Sequence, residues 1–232
     1  AYVEHYVNTL THELKSPLTA IQASAELLKE DLPLEDQQQF ATHIHEQSHR
    51  LKTLIDRMLL LTRLEKSQHQ VEPQYFNLSE LIQQVLDQHA SQIQQQQIQC
   101  LLDIEPNCMI SADRFWIQQT LANVLDNALD FTPSTDKIFF KLIHLDNKKI
   151  QISLFNEGAS IPNYALPQIF DTYFSLPRPS NQQRSSGIGL SIVKQVIEQH
   201  HGQIKIENIQ ANHITKLIPH TSGVLVSIEL PL

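Results

Sequence analysis

TLTHELKSPLTAIQASAELL, residues 9–28, repeats its apolar positions at alternating steps of three and four. Extended by one turn, the series is Val7, Leu10, Leu14, Pro17, Ile21, Ser24 and Leu28. A second series, Phe40, Ile44, Gln47, Leu51, Leu54, Met58 and Leu61, follows the same rule. Such spacing writes a heptad seam along one side of a helix, with one or two imperfect positions in each. Between the two series, KEDLPLED supplies Pro33 and acids suited to a helix start. Two seamed helices joined by a short loop predict an antiparallel hairpin. One hairpin buries little apolar surface, so a pair of hairpins in a four-helix dimer is expected.

Inside the first helix His12 stands beside Glu13, with Pro17 five residues on. At ~100° per residue His12 lies about 200° from both Leu10 and Leu14, which points its ring away from the seam. An exposed imidazole, with pKa near ~6.5, keeps a nucleophilic lone pair at neutral pH. Glu13 is placed to orient the ring or take its proton. Ser16 faces roughly the same side, and Pro17 removes a backbone hydrogen bond and is expected to loosen or bend the helix. The plain reading of an exposed histidine is a solvated residue, and His43, His45, His49, His200 and His201 receive it. His45 and His49 have a metal-like spacing, without an evident third ligand.

The 232-residue chain suits one or two domains, and its formal charge of -8 argues against nonspecific nucleic-acid binding. No apolar run approaches the ~18 residues of a membrane span, so any membrane link is expected to lie upstream. Cys100 and Cys108 read as reduced, partly buried thiols, and no zinc pattern includes them.

From about residue 71 the period changes. Helices are predicted at LSELIQQVLDQHASQI, DRFWIQQTLANVLDNALDF and GLSIVKQVIEQHH, the last ending at Gly202. Strands are predicted at IQCLLDI, KIFFKLIHL, KIQISLFN, QIKIENI and GVLVSIELPL. Hairpin-like HLDNKKI implies antiparallel pairing, and the mixture predicts a two-layer α/β sandwich with helices on one face of a mixed sheet.

LANVLDNALDFTP sets Asn123 and Asn127 on one helix face. Two amide oxygens there suit a hard cation beside a polyphosphate without adding negative charge. FNEGASIP follows a strand, and Gly158 permits a tight turn with close backbone approach. RSSGIGLSIV sets Gly187 and Gly189 just before a helix, whose free N–H groups favour phosphate. Each piece alone reads equally well as an ordinary turn or helix start. Their order and spacing carry the information.

That order resembles the catalytic core of sensor histidine kinases of two-component signalling, over essentially the whole chain. HELKSP resembles the phosphoacceptor box, NVLDNALDF the asparagine box, NEGASIP the first glycine box, IFDTYF the phenylalanine box and SSGIGLSIV the second glycine box. The resemblance implies a dimerisation and phosphotransfer hairpin over residues 1–70 and a Bergerat, or GHKL-like, ATP-binding domain over 71–232. It implies ATP and Mg2+, with His12 as phosphoacceptor and Glu13 as its acid–base partner. Asn127, helped by Asn123, would hold magnesium, and Phe131 closes the same box. Residues 156–162, beginning at Asn156, would meet adenine, with Ile161 and Leu190 as apolar walls. Residues 171–186 would form a lid carrying Arg178 and Arg184 toward phosphate. The implied partners are a second copy of the chain and the receiver domain of a response regulator, with no direct nucleic-acid contact. The implied location is the cytoplasmic portion of an inner-membrane sensor.

The chain departs from the family pattern at several places. Asn156 stands where an Asp usually accepts from the adenine amino group, which predicts ATP binding weaker by about 1 kcal/mol. Ser160 replaces a glycine, Asp130 stands where a Lys is common, and Ser175 where Arg is common. Ser16 stands at a position often held by Thr or Asn, which leaves phosphatase activity open. A degenerate nucleotide-sensing scaffold is the competing reading, and intact His12, Glu13, Asn123 and Asn127 argue against it. An ATPase of the gyrase and chaperone type shares the nucleotide fold but leaves the His-bearing hairpin unexplained.

Overall fold

In the computed structural model, residues 2–66, 72–146, 148–179, 185–210 and 221–232 are described. The chain divides into two compact units, Ala1–Arg63 and Leu64–Leu232.

The first unit holds α1 (Tyr2–Leu27) and most of α2 (Leu34–Lys66). Every described seam residue is buried or half-buried, from Leu14 and Pro17 through Leu54 and Leu61. Ser24 is buried, and its hydroxyl meets His43 Nδ1 at 3.0 Å, which joins the two helices across the seam. This is why a serine occupies an apolar register position: its hydroxyl has a partner. Helix α1 runs unbroken through Pro17, which is itself buried. The loop ends where Gln37 N and Gln37 Nε2 donate to Pro33 O and Leu32 O, and Glu35 and Asp36 fill the first turn of α2. The side chains of Val7 and Leu10 lie outside the described part.

In the second unit, β1 (Gln74–Asn77) pairs antiparallel with β3 (Met109–Ala112) in a small sheet of its own. Helix α3 (Leu78–Gln88) is capped by Asn77, whose Oδ1 accepts from Ser79 N at 3.1 Å. It buries Leu78, Leu81, Ile82, Val85 and Leu86. The single helix expected over 78–93 is broken at His89, and α4 (Ala90–Gln95) follows. His89 takes φ -96° and ψ 2°, and its Nδ1 lies 2.7 Å from Val85 O.

The main sheet has the order β2 (Gln99–Ile104), β4 (Lys137–Asp146), β5 (Lys149–Glu157), β7 (Gly223–Pro231), β6 (Gln203–Ile209). Only β2–β4 is parallel, so the sheet is mixed, as the hairpin between β4 and β5 predicts. Cross-strand rows Phe140–Leu154–Val226 and Leu142–Ile152–Ile228 are buried along one face. Helix α5 (Arg114–Phe131) packs on β5, and α6 (Gly189–Gln199) packs on β6 and on α5. Each buried side chain of this kind contributes roughly 1.5–3 kcal/mol.

His200, expected as a solvated residue, is instead buried and ties two helix ends together. Buried His200 directs Nδ1 at Val196 O, 2.8 Å away, and its Nε2 accepts from Asp113 N at 3.0 Å. Asp113 in turn caps α5 by accepting from Trp116 N at 3.2 Å. Cys100 and Cys108 are both free thiols, half-buried and buried respectively. Cys108 lies 3.7 Å from His144 Nε2, and His144 Nδ1 is 2.8 Å from Glu105. Burial, followed by the nearby Glu105 charge, pushes the Cys108 thiol up to about 11. That holds it as the inert thiol, while Glu105 itself is pulled below the usual carboxylate range by hydrogen bonds from the His144 backbone and ring.

Candidate functional site

Helix α5 is the spine of the site. Thr120, Asn123, Asn127 and Asp130 recur along it at steps of three, four and three. At 100° per residue they share an arc of about 80°. The other side carries Ile117, Leu121, Leu125 and Leu129, all buried. A polar stripe on a helix otherwise sunk in the core must meet polar partners or a ligand.

Three glycines bring backbone up to this helix and to the segment beside it. Asn123 is buried, and its Nδ2 donates to Gln119 O at 2.9 Å. Its oxygen is thereby turned toward α6, where a Cβ on Gly189 would stand 3.0 Å from Asn123 Oδ1. No side chain caps α6 among the described residues. Its first N–H groups are unused by the helix and are suited to an anion. Gly158 has φ +143°, and a Cβ there would stand 2.7 Å from Phe131 O, so the turn after β5 rests on the end of α5. Gly187 has φ +65° and lies against the backbone of Tyr173 and Phe174, where a Cβ would stand 2.6 Å from Phe174 O. Tyr173 N donates to Gly187 O at 2.9 Å, which ties the two ends of the intervening segment together.

Asn156 ends the buried row of β5 between Ile138 and Val224. It is buried, and its Nδ2 donates to Glu157 O at 3.3 Å, which leaves the amide oxygen as an acceptor. Ile161 is fixed by Asn208, which accepts from Ile161 N and donates to Ile161 O, each at 2.8 Å. Leu190 is half-buried at the start of α6. Asp130 is paired with Arg178 at 2.6 Å. Next to Asn127, Asp126 Oδ1 lies 3.1 Å from His89 Nε2. The Asp126 hydrogen bond raises the His89 pKa against the opposing effect of burial, with the Val85 carbonyl adding to the rise.

The structure thus gathers Asn123, Asn127, Phe131, Gly158, Gly189 and Arg178 around α5. Arg184 and the side chains of His12 and Glu13 lie outside the described residues, although the backbone at His12 and Glu13 is helical. Sequence reading misses Asn208 altogether, because its partner is 47 positions away and strand QIKIENI gives no cue.

The donor set fits a nucleotide and a hard cation. It offers neutral amide oxygens, uncapped N–H groups at a helix start, and glycines where a Cβ would fill the approach. A mixed sheet layered with helices, one of them bearing an asparagine stripe between glycine turns, defines a nucleotide-binding domain. Residues 112–232 match the family described as histidine kinase-, DNA gyrase B-, and HSP90-like ATPase, and residues 3–67 match the His Kinase A (phospho-acceptor) domain. The chain belongs to the sensor histidine kinases, of which it carries the phospho-acceptor and ATPase parts.

The sensor protein CreC of Escherichia coli (strain K12) is 35% identical over 230 residues, which is 99% of this chain and 45% of that protein. The adaptive-response sensory kinase SasA of Synechocystis sp. is 31% identical over 209 residues, 86% of this chain and 54% of that protein. The chain spans about half the length of these relatives. Among solved structures, histidine kinase ThkA in complex with response regulator protein TrrA aligns with TM-score 0.76 at 25% identity. That alignment covers 98% of this chain and 61% of that one. Among the described residues, no helix is long and apolar enough to cross a membrane.

Proposed function

We propose that the chain is an ATP-dependent protein-histidine kinase that phosphorylates itself on His12 and passes the phosphoryl group to an aspartate of a response regulator. The observation that carries this reading is the asparagine stripe of α5 beneath the uncapped start of α6. Residues 71–232 bind ATP, and residues 1–70 form the phosphotransfer hairpin. Adenine is met by residues 156–162 and held between Ile161 and Leu190, with Asn156 accepting from its amino group. Asn127, with Asn123, holds Mg2+, which offsets charge on the phosphates when bound. Arg178 and Arg184 meet the phosphates.

The chemistry balances as a displacement at phosphorus. A ring nitrogen of His12 attacks the γ-phosphorus, the bond to the bridging oxygen breaks, and ADP leaves with that electron pair. Glu13 orients the imidazole and takes its ring proton. In transfer to the regulator an aspartate oxygen attacks that phosphorus, the P–N bond breaks, and the His12 nitrogen leaves with the electron pair and regains a proton.

The reading includes two partners. Leu18, Ile55 and Leu59 leave apolar surface exposed on the hairpin, which a second copy would cover. The regulator is proposed by analogy with the ThkA–TrrA complex. Location on the cytoplasmic side, linked to a membrane by sequence outside this chain, is part of the same proposal.

The test is incubation with radiolabelled ATP and magnesium. Acid-labile label that disappears in His12→Gln and increases in Asn156→Asp supports the reading. ATP binding without label in the native chain would turn it to a nucleotide-sensing scaffold.

A further inference from the structure

Asp130 and Arg178 meet across a long stretch of chain, with Arg178 Nη2 2.6 Å from Asp130 Oδ2. The two side chains are 20% and 27% exposed, Asp130 and Arg178 respectively. Asp130 stands three residues beyond Asn127 on the polar stripe, so the guanidinium is brought beside the proposed phosphate end of the site. Helix α5 carries no basic residue in its last turn. Arg178 Nε is buried and has no hydrogen-bond partner among the described residues. An N–H left in that condition costs free energy unless an acceptor arrives, and a guanidinium held along one edge offers its others to an oxyanion.

We propose that Asp130 is a positioning residue for Arg178: its carboxylate anchors one edge of the guanidinium so that the remaining N–H groups meet the ATP phosphates. This rests on the nucleotide-binding reading above. Alone on α5, Asp130 would repel a triphosphate. Alone in its segment, Arg178 would be one rotamer-rich side chain among many orientations. Paired, they present donors to phosphate beside a last helical turn that has no cation of its own. The residue type at position 130 is thereby explained by the residue at 178.

Equilibrium binding of ATP and of adenosine to the whole chain tests this, with thermal melts to verify folding. Arg178→Gln raises the ATP Kd about tenfold or more, and Asp130→Asn raises it about threefold to tenfold. Adenosine affinity changes less than twofold in both. Arg178→Lys, which keeps charge but loses the fork, also weakens ATP. Asp130→Lys in the Arg178→Gln background regains ATP affinity, because it places a cation on α5 directly. Tighter or unchanged ATP binding in Asp130→Asn would overturn the positioning role while leaving the nucleotide reading intact. Equal losses for ATP and adenosine would make the pair merely structural. Failure of the native chain to bind ATP at all would sink both.

Discussion

Asn208 on β6 grips the backbone of Ile161 from both sides, accepting from its N–H and donating to its carbonyl at 2.8 Å each. The side-chain amide does for one residue what a neighbouring strand does for many. It fixes the turn after β5 at the height proposed to contact adenine.

Replacing Asn208 with Ala removes both bonds and leaves backbone groups to find water. The expected cost is about 1–3 kcal/mol of domain stability, with a clear loss of ATP affinity. Asn208→Asp keeps the acceptor and loses the donor, so it falls between. Urea unfolding and ATP titration check this, and native-like values for the Ala variant would remove Asn208 from the site.

Gly158 combines φ +143° with a Cβ position 2.7 Å from Phe131 O. Gly158→Ala therefore costs about 1–3 kcal/mol from backbone strain and displacement of the end of α5. Exposed Ala159→Ser is expected to stay within about 0.5 kcal/mol of native. Denaturant midpoints for the two variants test the contrast.

The His89–Asp126 contact makes stability depend on pH. The hydrogen bond to Asp126 raises the folded-state pKa of His89 above its ordinary value. The contact therefore stabilises fully below the unfolded pKa of ~6.5 and is lost as pH rises through the folded value. Compared with His89→Gln, the native chain should show its largest advantage in melting temperature at mildly acidic pH, shrinking toward alkaline pH. An advantage that grows with pH would contradict the assignment.

The two thiols differ in access. Cys108 is fully buried with its pKa pushed up to about 11, so a thiol reagent near pH 8 should leave it unmodified until the protein unfolds. Half-buried Cys100, also raised by burial, should react slowly and first. Mass spectrometry of the modified chain, with and without denaturant, reads the order directly.

What is legible in the sequence follows from the reach of each signal. The hairpin seam is legible because its period is carried by fourteen positions, and every described one is at least half-buried. The strands of the main sheet are legible because Phe140, Leu142, Leu154 and their neighbours alternate along β4 and β5. Strands β1 and β3 escape because QYFN and MISA are too short to establish a period. The break at His89 escapes because it depends on a ring nitrogen turning back to Val85 O within an otherwise helical pattern. Within the site, Asn123, Asn127 and the glycines announce themselves by motif order. Asn208 and the Asp130–Arg178 pair do not, since only folding brings their partners into reach.

The order β2-β4-β5-β7-β6 also sets a timetable for assembly. The β4–β5 hairpin is local and can close early, whereas β2 reaches β4 only after α5 has been threaded between them in sequence. Strand β7 must enter between β5 and β6, both of which precede it in the chain. Such late, non-local pairings slow folding and leave strand edges open while it proceeds. During synthesis β7, the strand that bridges β5 and β6, emerges after both of them. Until then β5, the strand that carries Asn156, stays unpaired on the edge that β7 will take.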